Sequence, residues 1–227
     1  MGSNGEQDLL LCLSPTCAED RVTEFILASA SPRRVALLEQ IGMQFIQRPA
    51  AIDESLRPGE SAQHYVLRMA SSKAEAVNDL LRSESTDEQG VLLPVLAADT
   101  TVVLVDRIFG KPGNREEAIA TLLTLSGRRH QVLSAVAVCG TSVYGVQGTQ
   151  ALLSETWVNF RKLSRAQCEH YWASGEPCDK AGAYAIQGRG AVFVESIQGS
   201  YSGVVGLPLM ETIELLENYG VSYWNTP

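Results

Sequence analysis

Short apolar runs alternate along the chain with longer segments in which apolar residues recur every three or four positions, a pattern typical of an α/β protein. The first run, FILAS from Phe25, predicts a short buried strand. Ser31 then stands as an N-cap and Pro32 as the first helical residue, and Gly42 predicts the end of that helix. The continuous run VLAADTTVVLV predicts a central strand that is covered on both faces.

Polar residues predict where further helices begin. Three of them stand at capping positions before amphipathic segments, namely Ser61, Asn114 and Ser164. The first of these helices carries Lys73 on its apolar stripe. The stripe is predicted to consist of Val66, Met69, Val77 and Leu80.

The remaining segments complete the alternation. HQVLSAVAVC and LLSETWVNF predict two strands, and a last helix is predicted from about Pro208 to Tyr219. The polar segment from Ser83 to Gly90 predicts an exposed loop. Between the strands and the last helix, residues 182–206 are rich in glycine.

Composition and charge limit the classes of function. With 227 residues, of which 45% are hydrophobic, the chain can bury the core of one large domain. A net charge of −8 argues against general binding to nucleic acid, because such affinity comes mainly from many Lys and Arg contacts to phosphate. Any phosphate site must therefore be a local basic cluster.

Cysteine usage and hydropathy indicate the compartment. The five cysteines are scattered without a CxxC pair, which fits a reducing environment, and no apolar run is long enough to span a bilayer. We therefore expect a cytoplasmic protein. Residues 1–24 are expected to form a poorly ordered extension, and residues 25–227 a single domain.

A strand-to-helix turn provides the first candidate site for an anion. Ser29, Ser31, Arg33 and Arg34 cluster there, where free backbone N–H groups and the helix dipole favour negative charge. The two arginines add bidentate phosphate donors. An ordinary capped helix with solvated arginines explains the same residues equally well.

Asp99 is the most informative single residue because it lies in the middle of the central apolar run. An unpaired carboxylate in a buried strand costs several kcal/mol and is normally neutralised by a cation or by hydrogen bonds. Asp99 is therefore either a structural residue bonded to backbone amides, or a metal ligand or general base at the carboxyl end of a strand.

The other charged candidates give weaker signals. Lys73 either extends to solvent or reaches a buried anion, and taken alone the first is the better explanation. Lys111, in a Gly-Lys-Pro turn, is explained by a surface position. Glu54 lies in the polar segment IDESLRPGE, where solvation explains it, but Glu54 and Asp99 would suffice to hold a hard divalent cation on a triphosphate. Tyr171 is most simply a core residue.

Seven motifs occur in order between about Phe25 and Tyr219. They are LASASPRR (27–34), IDES (52–55), ADTTV (98–102), GKP (110–112), LSGRRHQVLSAVAV (125–138), CDKAGAYAIQG (178–188) and GSYSGVVGLPL (199–209). Together they resemble the Maf family of nucleoside triphosphate pyrophosphatases. The last two motifs resemble the branch that acts on dTTP and UTP rather than the 7-methyl-GTP branch, although Ala185 replaces a usual glycine and Ser134 a usual threonine.

The resemblance implies a fold similar to that of inosine triphosphate pyrophosphatases, in which an elongated, mixed, curved sheet is flanked by helices and two lobes enclose a central cleft. Members of the family are commonly homodimers. The resemblance further implies a set of catalytic residues, which are Glu54, Lys73, Asp99 and Lys111. It implies a set of residues that bind the substrate, which are Ser29, Arg33, Arg34, Thr100 and Gln187, and Gln187 is associated with nucleotide specificity.

The implied reaction is hydrolysis between the α and β phosphates of a nucleoside triphosphate. A divalent cation, Mg²⁺ or alternatively Mn²⁺ or Co²⁺, would be held by Asp99 and Glu54, and one of these carboxylates would orient the attacking water. Arg33, Lys73 and Lys111 would stabilise the departing pyrophosphate. Two alternatives stay open: a 7-methyl-GTP-type pyrophosphatase, and a non-catalytic nucleotide-binding regulator of septum formation.

Overall fold

The computed structural model describes residues 24–85 and 92–224. Within these residues the chain forms seven strands and six α-helices. The strands are β1 (Phe25–Leu27), β2 (Phe45–Gln47), β3 (Val95–Leu104), β4 (Arg107–Phe109), β5 (Arg129–Thr141), β6 (Gln147–Phe160) and β7 (Val194–Gln198). The helices are α1 (Pro32–Gln40), α2 (Ala62–Glu84), α3 (Arg115–Leu125), α4 (Arg165–Trp172), α5 (Tyr201–Val205) and α6 (Leu209–Asn218).

All seven strands belong to one mixed sheet. Its order is β2-β1-β3-β5-β6-β7, and β4 pairs with the carboxyl-terminal part of β3. Strand β1 runs parallel to β2 and β3, whereas the other pairs are antiparallel. The predicted α/β fold, a mixed sheet flanked by helices, is confirmed.

Strand β3 lies between two hydrophobic clusters, as its continuous apolar run predicts. Val95 and Ala97 pack against α2 on one face of the sheet, and Leu96 and Ala98 belong to the larger cluster on the other face. Because side chains alternate along a strand, Asp99 continues the series of Val95 and Ala97. The carboxylate therefore faces α2.

The apolar stripe of α2 differs from the prediction at its end. Val66, Met69 and Val77 are buried, but Leu80 is 45% exposed. The residues that face the sheet follow the line Ala70, Ala74, Val77 and Leu81, so small alanines define the buried face and Leu80 lies beside it.

Most predicted helix starts are observed, and two element boundaries are corrected. Ser61, Asn114 and Ser164 each accept a backbone hydrogen bond as the N-cap of α2, α3 and α4. Helix α2 continues through Glu84, so the first two residues of the predicted loop at 83–90 are helical. Strand β6 begins at Gln147, five residues before the predicted segment, because it pairs along the whole of β5.

Two expectations from the sequence fall on other parts of the chain. Residues 1–23, which contain nearly all of the expected extension, and residues 86–90 of the expected loop lie outside the described residues. Among the residues that are described, none of the helices has the length and hydropathy needed to cross a bilayer.

Candidate active site

A cavity of about 520 Å³ opens where β1, β3 and the glycine-rich segment meet. The structure brings all of the predicted site residues to its wall. These residues are Ser29, Arg33, Arg34, Glu54, Lys73, Asp99, Thr100, Lys111 and Gln187. They come from six separate stretches of sequence, and the fold places them around one volume.

Lys73 joins the two carboxylates of the site. Its Nζ lies 2.8 Å from Oδ1 of Asp99 and 2.7 Å from Oε1 of Glu54. The side chains of Lys73 and Asp99 are only 11% and 12% exposed, whereas that of Glu54 is 52% exposed. The explanation preferred for Lys73 alone, extension to solvent, is wrong, because its ammonium group reaches a buried anion.

The two carboxylates respond differently to this shared cation. Burial raises the pKa of Asp99 above its usual value, although the nearby charges of Lys73 and Arg34 act in the opposite direction. For Glu54, partial burial also acts to raise the pKa, but the hydrogen bond and the charge of Lys73 outweigh it and the pKa is lowered. The difference in exposure therefore shifts the pKa values of these two carboxylates in opposite directions.

The first turn of α1 carries two arginines with different surroundings, Arg33 and Arg34. Arg34 Nε donates to the carbonyl oxygen of Gly206 at 2.8 Å, and Arg34 Nη1 donates to Ser29 Oγ at 3.1 Å. Arg33 Nε is buried and has no hydrogen-bond partner among the described residues. Because an unpaired buried donor is costly, the position of Arg33 fits a bound anion at the N-terminus of α1.

A chain of hydroxyl groups continues from Gly206 beneath the cavity. Ser134 Oγ donates to the carbonyl oxygen of Gly203 at 2.6 Å, so its lone pairs are left to accept. Thr100 Oγ1 lies 3.0 Å from Ser134 Oγ and 3.4 Å from the carbonyl oxygen of Gly206. Because the one hydroxyl proton of Ser134 is donated to Gly203, Thr100 is the donor in its contact with Ser134. These bonds connect β3 and β5 to α5.

Side chains from α2 hold the loop that carries Glu54. Tyr65 Oη donates to the backbone oxygen of Glu54 at 3.0 Å, and Arg68 Nη2 donates to that of Ser55 at 3.0 Å. Arg68 also binds both carboxylate oxygens of Glu60 and, by hydrogen bonding, lowers the pKa of Glu60 to about 2. Glu54 is thus fixed by a scaffold although its loop contains no regular structure.

The cavity wall also contains four charged or tyrosine residues that the sequence analysis gave no role. They are Tyr65, Asp179, Lys180 and Tyr184. Asp179 and Lys180 form an ion pair immediately before a glycine-rich segment, and this charged dipeptide was the available signal. Tyr65 has an ordinary position on an amphipathic helix, and no sequence pattern distinguishes it.

The carboxylate pair fits a hard divalent cation when the substrate supplies further oxygens. Lys73 contacts one oxygen of each carboxylate, so oxygen lone pairs of Asp99 and Glu54 stay available. Within residues 24–85 and 92–224 no group of three or more His, Cys, Asp or Glu residues could hold a metal ion. A cation would therefore need phosphate oxygens in addition to the protein, as is usual for Mg²⁺ on triphosphates.

Comparison with known proteins matches this chain to one protein family and to curated relatives. The family model described as Maf-like protein matches residues 24–219. The chain is 49% identical over 197 residues to the dTTP/UTP pyrophosphatase of Alkalilimnicola ehrlichii, covering 87% of this chain and 93% of that protein. It is 48% identical over 201 residues to the dTTP/UTP pyrophosphatase of Methylobacillus flagellatus, covering 88% and 95%.

A more distant similarity occurs among solved structures. The nucleoside-triphosphatase / dITP/XTP pyrophosphatase of Mycobacterium abscessus aligns with 86% of this chain and 95% of its own, at 12% identity and a TM-score of 0.38.

Proposed function

This chain belongs to the Maf-like protein family, and on that premise we propose that it is a nucleoside triphosphate pyrophosphatase that hydrolyses dTTP and UTP. The products are the nucleoside monophosphate and pyrophosphate. The observation that carries the proposal is the buried Lys73–Asp99 pair, which lies beside Glu54. The same cavity is also lined by Arg33 and Arg34.

The reaction replaces one bond at the α phosphorus. The oxygen of a water molecule forms a bond to the α phosphorus. The bond between the α phosphorus and the oxygen that bridges to the β phosphate breaks, and its electron pair leaves with pyrophosphate. Asp99 or Glu54 accepts the proton of the attacking water, since both carboxylates lie beside the same cation. Lys73 keeps both carboxylates in place during this step.

Basic groups of the cavity neutralise the phosphates. Arg33, with its unpaired Nε, and the N-terminus of α1 bind phosphate oxygens, and Lys111, which also lines the cavity, binds them as well. Such positioning and charge neutralisation supply most of the acceleration in phosphoryl and nucleotidyl transfer.

Nucleotide pyrophosphatases of this kind generally use a divalent metal ion. We propose Mg²⁺ as that ion, with Asp99 and Glu54 as its protein ligands, where it would neutralise charge on the phosphates. The homodimer and the cytoplasmic location also stay predictions, and light scattering would test the dimer by giving twice the mass of one chain.

The catalytic assignment is tested with Asp99→Asn. This variant keeps the shape of the side chain but removes a carboxylate that acts as metal ligand or base, so we expect turnover of UTP to fall about a thousandfold with the fold retained. Asp106→Asn, in the exposed turn between β3 and β4, is the matched control and should release pyrophosphate at the wild-type rate. Near-normal pyrophosphate release by Asp99→Asn would refute the role of Asp99.

The substrate assignment is tested with a panel of nucleotides assayed for pyrophosphate. We expect UTP and dTTP to be hydrolysed with higher kcat/KM than 7-methyl-GTP. A clear preference for the methylated purine would place the enzyme in the other branch, and tight binding without turnover would favour a regulatory protein.

A further inference from the structure

Gln187 reaches the cavity from a segment without strand pairing. It lies between two short 3-10 turns at Ala181–Ala183 and Arg189–Phe193, and the residue is itself exposed. An amide side chain offers one acceptor and two donors, so its orientation decides which hydrogen-bonding edge of a ligand it fits. A fixed orientation of this amide requires contacts from other residues that restrain the backbone around Gln187.

A carboxylate behind the cavity provides those contacts. Oε2 of Glu176 accepts from the backbone N–H of Arg189 at 2.9 Å, and Oε1 accepts from the backbone N–H of Gly190 at 3.0 Å. Tyr171 Oη donates to the same Oε1 at 2.6 Å and accepts from the backbone N–H of Ala185 at 3.0 Å. Backbone groups on both sides of Gln187 are thus bound by one Glu–Tyr pair.

The segment packs against this pair without spare space. A Cβ added at Gly190 would lie 2.7 Å from Tyr171 Oη, and one added at Gly188 would overlap the carboxylate of Glu176. Partial burial of Glu176 acts to raise its pKa, but its hydrogen bonds from Tyr171 and the backbone prevail and lower it. Glu176 is therefore an ionised acceptor near neutral pH, and charged acceptors form the stronger hydrogen bonds.

We propose that Glu176, together with Tyr171, is a positioning residue that fixes Gln187 and thereby sets the discrimination of the enzyme among nucleobases. The inference rests on the proposed function, because it assumes that the cavity binds a nucleoside triphosphate. Glu176 lies behind the 185–190 segment and contacts the backbone rather than the cavity, so its effect on substrate passes through Gln187. Uracil and cytosine bases differ in the donor and acceptor groups that such an amide would read.

The test compares UTP with CTP in Glu176→Gln, Gln187→Ala and the double variant. Glu176→Gln places an NH₂ group against a backbone N–H, so we expect the ratio of kcat/KM for UTP to that for CTP to fall about fivefold, the loss of one hydrogen bond. The double variant should have the ratio of Gln187→Ala alone, since coupled residues are not additive. Glu195→Gln, an exposed carboxylate on β7, is the matched control and should leave the ratio unchanged.

A role limited to general stability predicts a different result. It would lower kcat/KM for UTP and CTP equally and make the double variant additive, and either result overturns the proposal. A wild-type enzyme that does not distinguish UTP from CTP overturns it as well. Because Glu176→Gln could fold poorly, Tyr171→Phe, which removes only a hydroxyl group, is measured beside it and should lower the same ratio.

Hydrogen exchange separates this inference from the proposed function. If the wild type releases no pyrophosphate, the proposed function fails. The restraint of the backbone around Gln187 by Glu176 and Tyr171, here called the clamp, is still testable in the intact protein. Exchange of the amides of Arg189 and Gly190 should be faster in Glu176→Gln than in Glu195→Gln. Unchanged exchange at these two amides refutes the clamp whatever the activity.

Discussion

At Lys73 one ammonium group is shared by two carboxylates in different surroundings. Asp99 is buried beneath α2, whereas about half of the Glu54 side chain is exposed. Removing the cation would therefore affect the two acids unequally, because water reaches Glu54 freely but reaches Asp99, whose side chain is 12% exposed, only from the cavity.

This difference predicts the stability of Lys73→Met. Loss of one partner leaves a buried charge uncompensated, so the free energy of unfolding at pH 7 should fall by about 3 kcal/mol. The double variant Lys73→Met/Asp99→Asn should recover a large part of the loss, because the amide has no charge to compensate. Urea denaturation measures both, and equal losses in the single and double variants would contradict the explanation.

His130 predicts a pH dependence of stability. The side chain is fully buried against Tyr184 and Phe160, and burial lowers its pKa from 6.5 to about 4. The unfolded chain takes up a proton on this histidine below pH 6.5, whereas the folded protein does so only near pH 4. The stability contribution is therefore present above pH 6.5 and lost as the pH falls to about 4, a change of about 3 kcal/mol.

Comparison with His130→Gln isolates this contribution. The carboxylates titrate in both proteins, so the difference between their unfolding free energies should change across this pH range and be constant above it. Parallel curves for wild type and variant from pH 7 to pH 4 would show that His130 does not carry the effect.

At the scale of elements, side-chain hydrogen bonds add to packing in holding a short helix against the sheet. Ser134 is 1% exposed on β5, and its hydroxyl holds the carbonyl oxygen of Gly203 in α5. Helix α5 has only five residues, too few to be stable by its own backbone bonds. Its position is held by this contact, by the hydrogen bond that the N–H of Gly203 donates to Ser200 Oγ, and by the packing of Val205 in the core.

Ser134→Ala is expected to lower the free energy of unfolding by about 1–3 kcal/mol, since a buried carbonyl group loses its donor. Ser134→Thr keeps the hydroxyl and should lose less. Chemical denaturation ranks the two variants, and a threonine variant as unstable as the alanine variant would mean that side-chain volume rather than the hydrogen bond matters.

The elements differ in how well the sequence predicts them, and the difference has a physical origin. The start of α1, the central run of β3 and the caps of α2 and α4 depend on local patterns, and the sequence predicts them. The buried line of α2 was misjudged at Leu80 because alanine contributes little hydrophobicity to a pattern although it fits closely against a sheet.

The site residues themselves were assigned by family resemblance more than by local pattern. Lys73 has a partner 26 residues away, and nothing near it in sequence announces that contact. Tyr171 was assigned to the core, which its burial confirms, but its hydroxyl group also binds Glu176 and Ala185. Such contacts depend on tertiary topology, which residue spacing does not encode.

At the scale of the whole molecule, an acidic protein presents a local basic cluster. The chain has a net charge of −8, but five basic residues line the cavity: Arg33, Arg34, Lys73, Lys111 and Lys180. The cavity can therefore attract a triphosphate although the chain as a whole is acidic. The expectation that any phosphate site would be a local basic cluster agrees with this distribution.

The response of thermal stability to Mg²⁺ follows from the same arrangement. Because both carboxylates are already bound by Lys73, millimolar Mg²⁺ alone should raise Tm by less than about 1 °C. Mg²⁺ with non-hydrolysable α,β-methylene-UTP should raise Tm by roughly 5–10 °C at a hundredfold excess over Kd. Calorimetry measures both shifts, and a large effect of Mg²⁺ alone would indicate a preformed metal site that needs no phosphate.

The bonds from Arg34 to Gly206 and from Ser134 to Gly203 also constrain how the enzyme exchanges its ligands. The first bond joins α1 to the residue that follows α5, and the second joins β5 to α5, so these walls of the cavity are held to one another. Glu54, Lys111 and Gln187 line the cavity and are exposed, and we expect nucleotide and pyrophosphate to pass beside them. We therefore expect the rate of ligand exchange to depend on the segments that carry these three residues more than on α1 and α5.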